Sequence, residues 1–175
     1  YHGLNITRAA LSSGAPLAPY LEAFGTDLFL SADEKDVERA INANIAAGII
    51  CTDHREDIDP AAEIDQIRIA FDGDAVLFSD ESERIYKEKG EAAFQENEIS
   101  CANEPLKEGP FAKFLMTLST LQNGLDVEIP PIRTALVTAR NAPAHERVIR
   151  TLRAWGVRVD EAFFLGGMTK KEVLK

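Results

Sequence analysis

The chain has 175 residues, 45% of them apolar and 27% charged, and carries a formal net charge of -10 at pH 7. These proportions fit a globular chain of about one domain and exclude extensive disorder or a membrane span. The acidic balance argues against a nucleic acid polymer as partner, because binding a phosphate backbone requires a basic patch. A small phosphate ester is still admissible, since screening over about 8 Å at physiological salt lets a few local cations reverse the field in one pocket.

Cys51 and Cys101 are the only cysteines, far apart and in no zinc or C-x-x-C spacing, which fits a reducing, cytoplasmic setting. His2, His54 and His145 are scattered and form no metal-ligand pattern. There is no signal-peptide pattern, although Tyr1 is not expected to be the native start.

Taken in order, Gly3 to Thr7 reads as extended, and Leu17 to Phe24 as a helix closed by Gly25. Asp27 to Leu30 follows as a short strand. Ser31-Ala32-Asp33-Glu34 has the form of a capping box, with Ser31 and Glu34 satisfying the free amides of the next helix. In that helix Val37, Ala40, Ile41, Asn44 and Ile45 recur at helical spacing, Asn44 being the one polar interruption, and Gly48 is placed to end it. Ile49 to Cys51 reads as another strand, and Thr52 to Asp59, leading to Pro60, as a solvated acidic loop.

The next segment, Ile67 to Phe78, carries the chemistry. Ile67, Ile69 and Phe71 alternate with Arg68 and Ala70, as in a buried strand whose C-terminal end delivers Asp72-Gly73-Asp74. Open α/β sheets bind ligands at that end. On these three residues alone a solvated acidic turn is as good a reading as a reactive one. The apolar flanks favour the second, since carboxylates at the edge of a core need a compensating cation or hydrogen bonds. A calcium loop is excluded because Val76 and Phe78 stand where oxygen ligands would have to continue.

From Ser79 the chain turns polar, with a helical pattern through Ile85, Tyr86 and Phe94 to about Glu98 whose simplest reading is a solvent-facing helix. A stretch from 79 to 128 is too long for a bare loop between core strands, so it predicts a cap insertion. Within it, Pro105 to Leu121 gives a turn and an amphipathic helix, with Phe111, Phe114, Leu115 and Leu118 expected in the core. Phe94 and Phe111 are the candidates if a cap aromatic stacks on a nucleobase.

Ile132 to Thr138 is a second apolar strand, ending at Thr138-Ala139-Arg140-Asn141. Asn141 is a good N-cap for the following helix, which leaves the Thr138 hydroxyl available to an anion at the strand-to-helix junction. Arg140 can either grip a phosphate as a bidentate donor or lie on the surface. Ala144 to Trp155 is a helix with Val148, Leu152 and Trp155 as its buried stripe, ended by Gly156. Ala162 to Leu165 is then a strand, followed by Gly166-Gly167-Met168-Thr169-Lys170. This lacks the spacing of a P-loop, but it puts a lysine in the first turn of a helix, where the helix dipole disfavours it unless an anion is bound.

Asp72-Gly73-Asp74-Ala75-Val76 resembles the D-x-D-x-[TV] signature of the haloacid dehalogenase superfamily of phosphoryl-transfer enzymes, with Thr138 and Lys170 resembling its second and third motifs. The segments Arg68 to Glu83, Leu136 to Arg140, Leu152 to Gly156 and Asp160 to Leu165 narrow the likeness to the cytosolic 5'-nucleotidase type I family. The resemblance implies an α/β fold with a Rossmann-like parallel sheet, flanking helices and a small helical cap. The core would be residues 1–78 and 129–175, and the cap 79–128.

The resemblance further implies magnesium-dependent hydrolysis of nucleoside 5'-monophosphates, AMP being the expected substrate. Asp72 would be the nucleophile and Asp74 the general acid and base. Thr138 and Lys170 would hold phosphate, with Arg140 as a weaker candidate. The Asp72 carboxylate, the Asp74 backbone carbonyl and a further aspartate expected beyond Lys175 would hold Mg2+. That aspartate belongs to a fourth motif not present here, so the chain reads as a fragment, and homo-oligomerisation stays open. The alternatives are a phosphatase of another small ester, such as a sugar phosphate, and a nucleotide-binding module without catalysis.

Overall fold

In a computed structural model of the chain, residues 3, 5–51, 66–125, 127 and 130–174 are described. The chain divides into two compact units, Tyr1–Asp53 and His54–Lys175. Each is built on parallel strands joined through helices, the connection that parallel pairing demands. No helix among the described residues is long and apolar enough to cross a membrane.

In the first unit, helix α1 (Ala18–Phe24) ends at Gly25, as its sequence requires. Strand β1 (Phe29–Ser31), helix α2 (Glu34–Asn42) and strand β2 (Ala47–Ile49) then form a β-α-β unit in which Phe29 lies opposite Ala47. Val37, Ala40, Ile45 and Ala47 make its core, with Leu21 and Phe29 packed against them.

Several local expectations shift here. The cap is Asp33, which accepts from the amides of Lys35 (2.8 Å) and Asp36 (3.4 Å), while Ser31 sits in β1 and accepts from Asp33 N–H (3.1 Å). The helix stops at Asn42, before Gly48. Asn44 turns the chain in the left-handed region (φ 59°), and Gly48 lies inside β2. Ile41 is consequently 42% exposed rather than part of the buried face. The loop expected from Thr52 to Pro60 falls outside the described residues.

The second unit holds strands β3 (Ile67–Asp72), β4 (Ile132–Thr138) and β5 (Glu161–Phe164), parallel and in the order β3-β4-β5. Asp72 pairs with Val137, and Thr138 with Phe164, so the C-terminal ends of adjacent strands lie together. The stretch between β3 and β4 contains helices α3 (Glu81–Ser100) and α4 (Ala112–Asn123), and α5 (His145–Ala154) connects β4 to β5. The expectation that Ile67 to Phe71 forms a buried strand is corrected. Among the described residues β3 is an edge strand, so Phe71 is buried but Ile67 is 58% exposed.

The core of this unit forms where β3 and β4 meet the helices, around Phe71, Leu77, Phe78, Leu115, Leu136 and Val148. Phe71 takes Phe114 and Phe111 edge-on at 6.0 and 6.5 Å between ring centroids, and Phe78 packs on Trp155 at 5.5 Å. Each fully buried side chain of this size contributes about 1.5–3 kcal/mol from burial. Helix α3 bends at Gly90 (φ 83°), so its two halves have separate axes.

A returning segment, bridged to Phe78 at Glu108, closes the reactive turn from behind. Ser79 N–H donates to Lys107 O (2.9 Å), Gly109 N–H to Leu77 O (2.8 Å) and Phe111 N–H to Val76 O (3.0 Å). The approach is so close that a side chain at Gly109 would run into the carbonyl oxygens of Val76 and Phe78.

Candidate active site

At the end of β3 the backbone leaves the sheet in a wide turn over Gly73–Leu77, closed by Phe78 N–H donating to Gly73 O (3.0 Å). Asp74 stays extended (φ -66°, ψ 139°), and Ala75 adopts φ 61°, a left-handed conformation that costs a non-glycine residue energy and is found concentrated at functional sites. Asp72 anchors the start of the turn, its Oδ1 accepting from Gly73 N–H at 2.7 Å. Gly73 is buried against β4. A Cβ there would stand 3.0 Å from Thr138 Oγ1 and 3.1 Å from Thr138 Cβ.

Thr138 at the end of β4 is 1% exposed, and its hydroxyl accepts from Arg140 N–H (3.3 Å). The hydroxyl oxygen thus serves as an acceptor locally, and Asn141 does not cap the next helix. α5 begins at His145, with Ala144 at the cap position and no side-chain cap, and Asn141 contributes only its carbonyl, accepting from His145 N–H (2.9 Å).

Beyond β5 the glycine turn leads to Lys170, where Thr169 Oγ1 accepts from Lys171 N–H (3.2 Å) and opens a single 3₁₀ turn, Lys170–Glu172, in place of the expected helix. Lys170 Nζ makes a close ion pair with Asp72 Oδ2. Asp72, Asp74, Thr138, Arg140 and Lys170 thus come together on one cleft of about 440 Å³. Tyr86, Phe94, Gln95 and Asn141 form more of its wall, and Glu83 and Glu91 add carboxylates.

Arg140 is not on the surface, and its donors are taken up by carboxylates. Its side chain is 1% exposed and the guanidinium forks onto Asp74, Nε to Oδ2 at 2.9 Å and Nη2 to Oδ1 at 2.6 Å, while Nη1 makes a close contact with Glu98 Oε2. Glu98 also accepts from Ser82 Oγ (2.7 Å) and Arg147 Nη1 (3.1 Å), and Arg147 Nε reaches Glu104 O (2.9 Å). Burial alone would push the Glu98 carboxyl up, but Arg140, the Ser82 hydroxyl and Arg147 outweigh it and hold the group below the usual carboxylate value. Burial likewise works against the charge on Arg140, and Asp74 and Glu98 more than restore it. Two carboxylates and two guanidiniums balance formally.

Sequence reading placed Glu98 near the end of a solvent-facing helix and gave Arg147 no role. The available signal was the spacing of Phe94 and Glu98. Four residues apart on a helix, they share the face that meets Arg140, whose guanidinium carbon lies 5.3 Å from the Phe94 ring centre. Of the two aromatics considered for a base, Phe111 is committed to Phe71 in the core. Phe94 lines the cleft beside Tyr86, at 6.1 Å between ring centres. Among the described residues no cluster of three or more His, Cys, Asp or Glu side chains is arranged to hold a metal ion.

A family model described as 5'-nucleotidase matches residues 1–175. Cytosolic 5'-nucleotidase 1B of Homo sapiens is 42% identical over 179 residues, an alignment that takes in 99% of this chain and 29% of that protein. The chain therefore spans about three tenths of the length of this curated relative. No solved structure matches the chain significantly.

Proposed function

Because the chain belongs to the cytosolic 5'-nucleotidase type I family, we propose that it forms the catalytic part of a phosphoric monoester hydrolase acting on nucleoside 5'-monophosphates, AMP first among them, in the cytoplasm. One observation carries the reading: Asp72, Asp74, Thr138 and Lys170, spread over 98 residues of sequence, line a single cleft at the ends of parallel strands.

The chemistry follows from what each group can do. An Asp72 oxygen attacks phosphorus as the bond to the 5' oxygen breaks, and Asp74 supplies that leaving oxygen with a proton. Water then attacks the aspartyl-phosphate and Asp74 accepts its proton. The acyl phosphate bond opens, releasing phosphate and restoring Asp72. A positioned acid and base contributes about 10² to 10⁴ in rate. The Thr138 hydroxyl and the Lys170 ammonium are the donors for the non-bridging oxygens, with Lys170 moving from Asp72 to phosphate. Tyr86 and Phe94 offer the base an aromatic wall. Arg140, occupied by two carboxylates, serves the acid rather than the phosphate in this reading.

Magnesium belongs to the proposal. The Asp72 carboxylate and the Asp74 carbonyl are oxygen donors of the kind a hard cation takes, and Mg2+ habitually completes so small a protein set with water and phosphate oxygens. When bound it supplies positive charge against the phosphate.

The test is phosphate release by the whole protein from AMP, other nucleoside monophosphates and a series of sugar phosphates, with and without magnesium. Turnover of nucleotides supports the reading. Turnover of sugar phosphates alone replaces the substrate class, and nucleotide binding without turnover replaces catalysis.

A further inference from the structure

We infer that Glu98 is a positioning residue for Asp74, acting through Arg140; the inference rests on the nucleotidase reading of the cleft. An isolated carboxylate with 0% side-chain exposure is costly to bury, so its place at the centre of a charge cluster has to be explained by its neighbours. Those neighbours fix it from separate elements: Ser82 at the start of α3, Arg147 from α5, and Arg140 from the loop after β4.

Arg140 is the part that reaches the chemistry. A guanidinium is planar and presents its donors in a rigid fork, so fixing one edge fixes the other. With Nη1 committed to Glu98, Nε and Nη2 point at the two Asp74 oxygens and set the plane of that carboxylate. Asp74 is itself 23% exposed on its side chain, and the fork from Arg140 supplies its side-chain hydrogen bonds at both oxygens. Glu98 holds the arginine and the arginine aims the acid. Because Ser82 and Glu98 lie in opposite halves of the helix bent at Gly90, the same cluster also ties both halves of α3 to the catalytic turn.

The experiment is a double-mutant cycle on kcat and KM for nucleotide hydrolysis by the whole protein, with Glu98→Gln and Arg140→Lys. Glu98→Gln keeps the shape and removes the charge. It should lower kcat by up to about 10²-fold, the order expected for misplacing a reacting group by an ångström. KM should change little, because Glu98 touches no substrate. In the Arg140→Lys background, where the fork is already lost, the same change should add almost nothing. A folded Glu98→Gln protein with wild-type kcat, or effects that simply multiply, would overturn the inference.

If Glu98→Gln does not fold, Ser82→Ala takes its place, leaving every charge and removing one bond that orients Glu98. It should lower kcat in the same sense, by less, and an unchanged kcat in that folded variant overturns the inference equally. The two readings fail differently. A wild-type protein inactive on all nucleotides removes the nucleotidase assignment and this role with it, whereas an active one indifferent to Glu98 removes the role alone.

Discussion

The hydroxyl of Thr138 lies 3.0 Å from the point a Cβ on Gly73 would occupy, so the reactive turn and the end of the neighbouring strand touch where only a hydrogen fits. Gly73→Ala should therefore displace either Asp72 or Thr138 by a few tenths of an ångström. Thr138 is buried and has little room to yield. The expected result is a fall in kcat of up to about 10²-fold with a stability loss of only about 1 kcal/mol. Steady-state kinetics beside a urea titration separates the two. Wild-type kcat in the variant would show that the contact is unimportant.

Asp72→Asn should abolish turnover without unfolding the protein, since the side chain is 45% exposed and its ion pair with Lys170 is at the surface of the cleft. Circular dichroism and phosphate release check this together. Substantial residual turnover would exclude Asp72 as the nucleophile.

Gly109→Ala acts on the fold instead. The new methyl group meets the backbone oxygens of Val76 and Phe78, which cannot rotate away as a side chain would. Overpacking of this kind costs about 1–3 kcal/mol, and the urea midpoint should drop accordingly. Because the returning segment holds the turn from behind, activity should fall as well. An unchanged midpoint would mean that the segment packs loosely against the turn.

Asp160 supplies a pH signature. Burial raises its carboxyl, but the Thr134 amide, the Gln122 side chain, the Thr134 hydroxyl and Arg158 outweigh that and hold it below the usual value. A carboxyl depressed in the folded state contributes stability that is complete above its unfolded value, about pH 4, and is lost as pH falls through the folded one. Asp160→Asn should thus cost roughly 1–3 kcal/mol near neutral pH, with the gap from wild type narrowing below about pH 4. Denaturation at a series of pH values tests it, and a constant gap would contradict the assignment.

Much of this was legible in the residues. The run from Ile67 to Asp72 and that from Ile132 to Thr138 announce strands by alternation and apolar density, and both are present in parallel register. What misled was local. Ser31 and Glu34 satisfy a capping pattern, yet Asp33, two residues on from Ser31, accepts from the amides of both Lys35 and Asp36 and takes the position. The exposed edge of β3 could not be read, because alternation reports which face is apolar and says nothing of whether a neighbouring strand covers it. In the site, Asp72, Asp74, Thr138 and Lys170 stood out because strand ends and turns punctuate the sequence. Glu98 did not, since a glutamate in a charged helix looks solvated until Arg140 and Arg147 arrive from elsewhere in the chain.

The separation of these partners in sequence sets an order of events during synthesis. Asp74 precedes Arg140 by 66 residues and Asp72 precedes Lys170 by 98. A ribosome adding about 5–20 residues per second extrudes the acidic turn roughly 5–20 s before Lys170. Asp72 has no partner from Lys170 through that interval, Asp74 waits roughly 3–13 s for Arg140, and the loop closures that bring them together are long-range and slow. A nascent chain stopped before Arg140 would carry its reactive turn uncompensated, and the cleft would form only when the last third of the sequence folds back onto the first strand of its sheet.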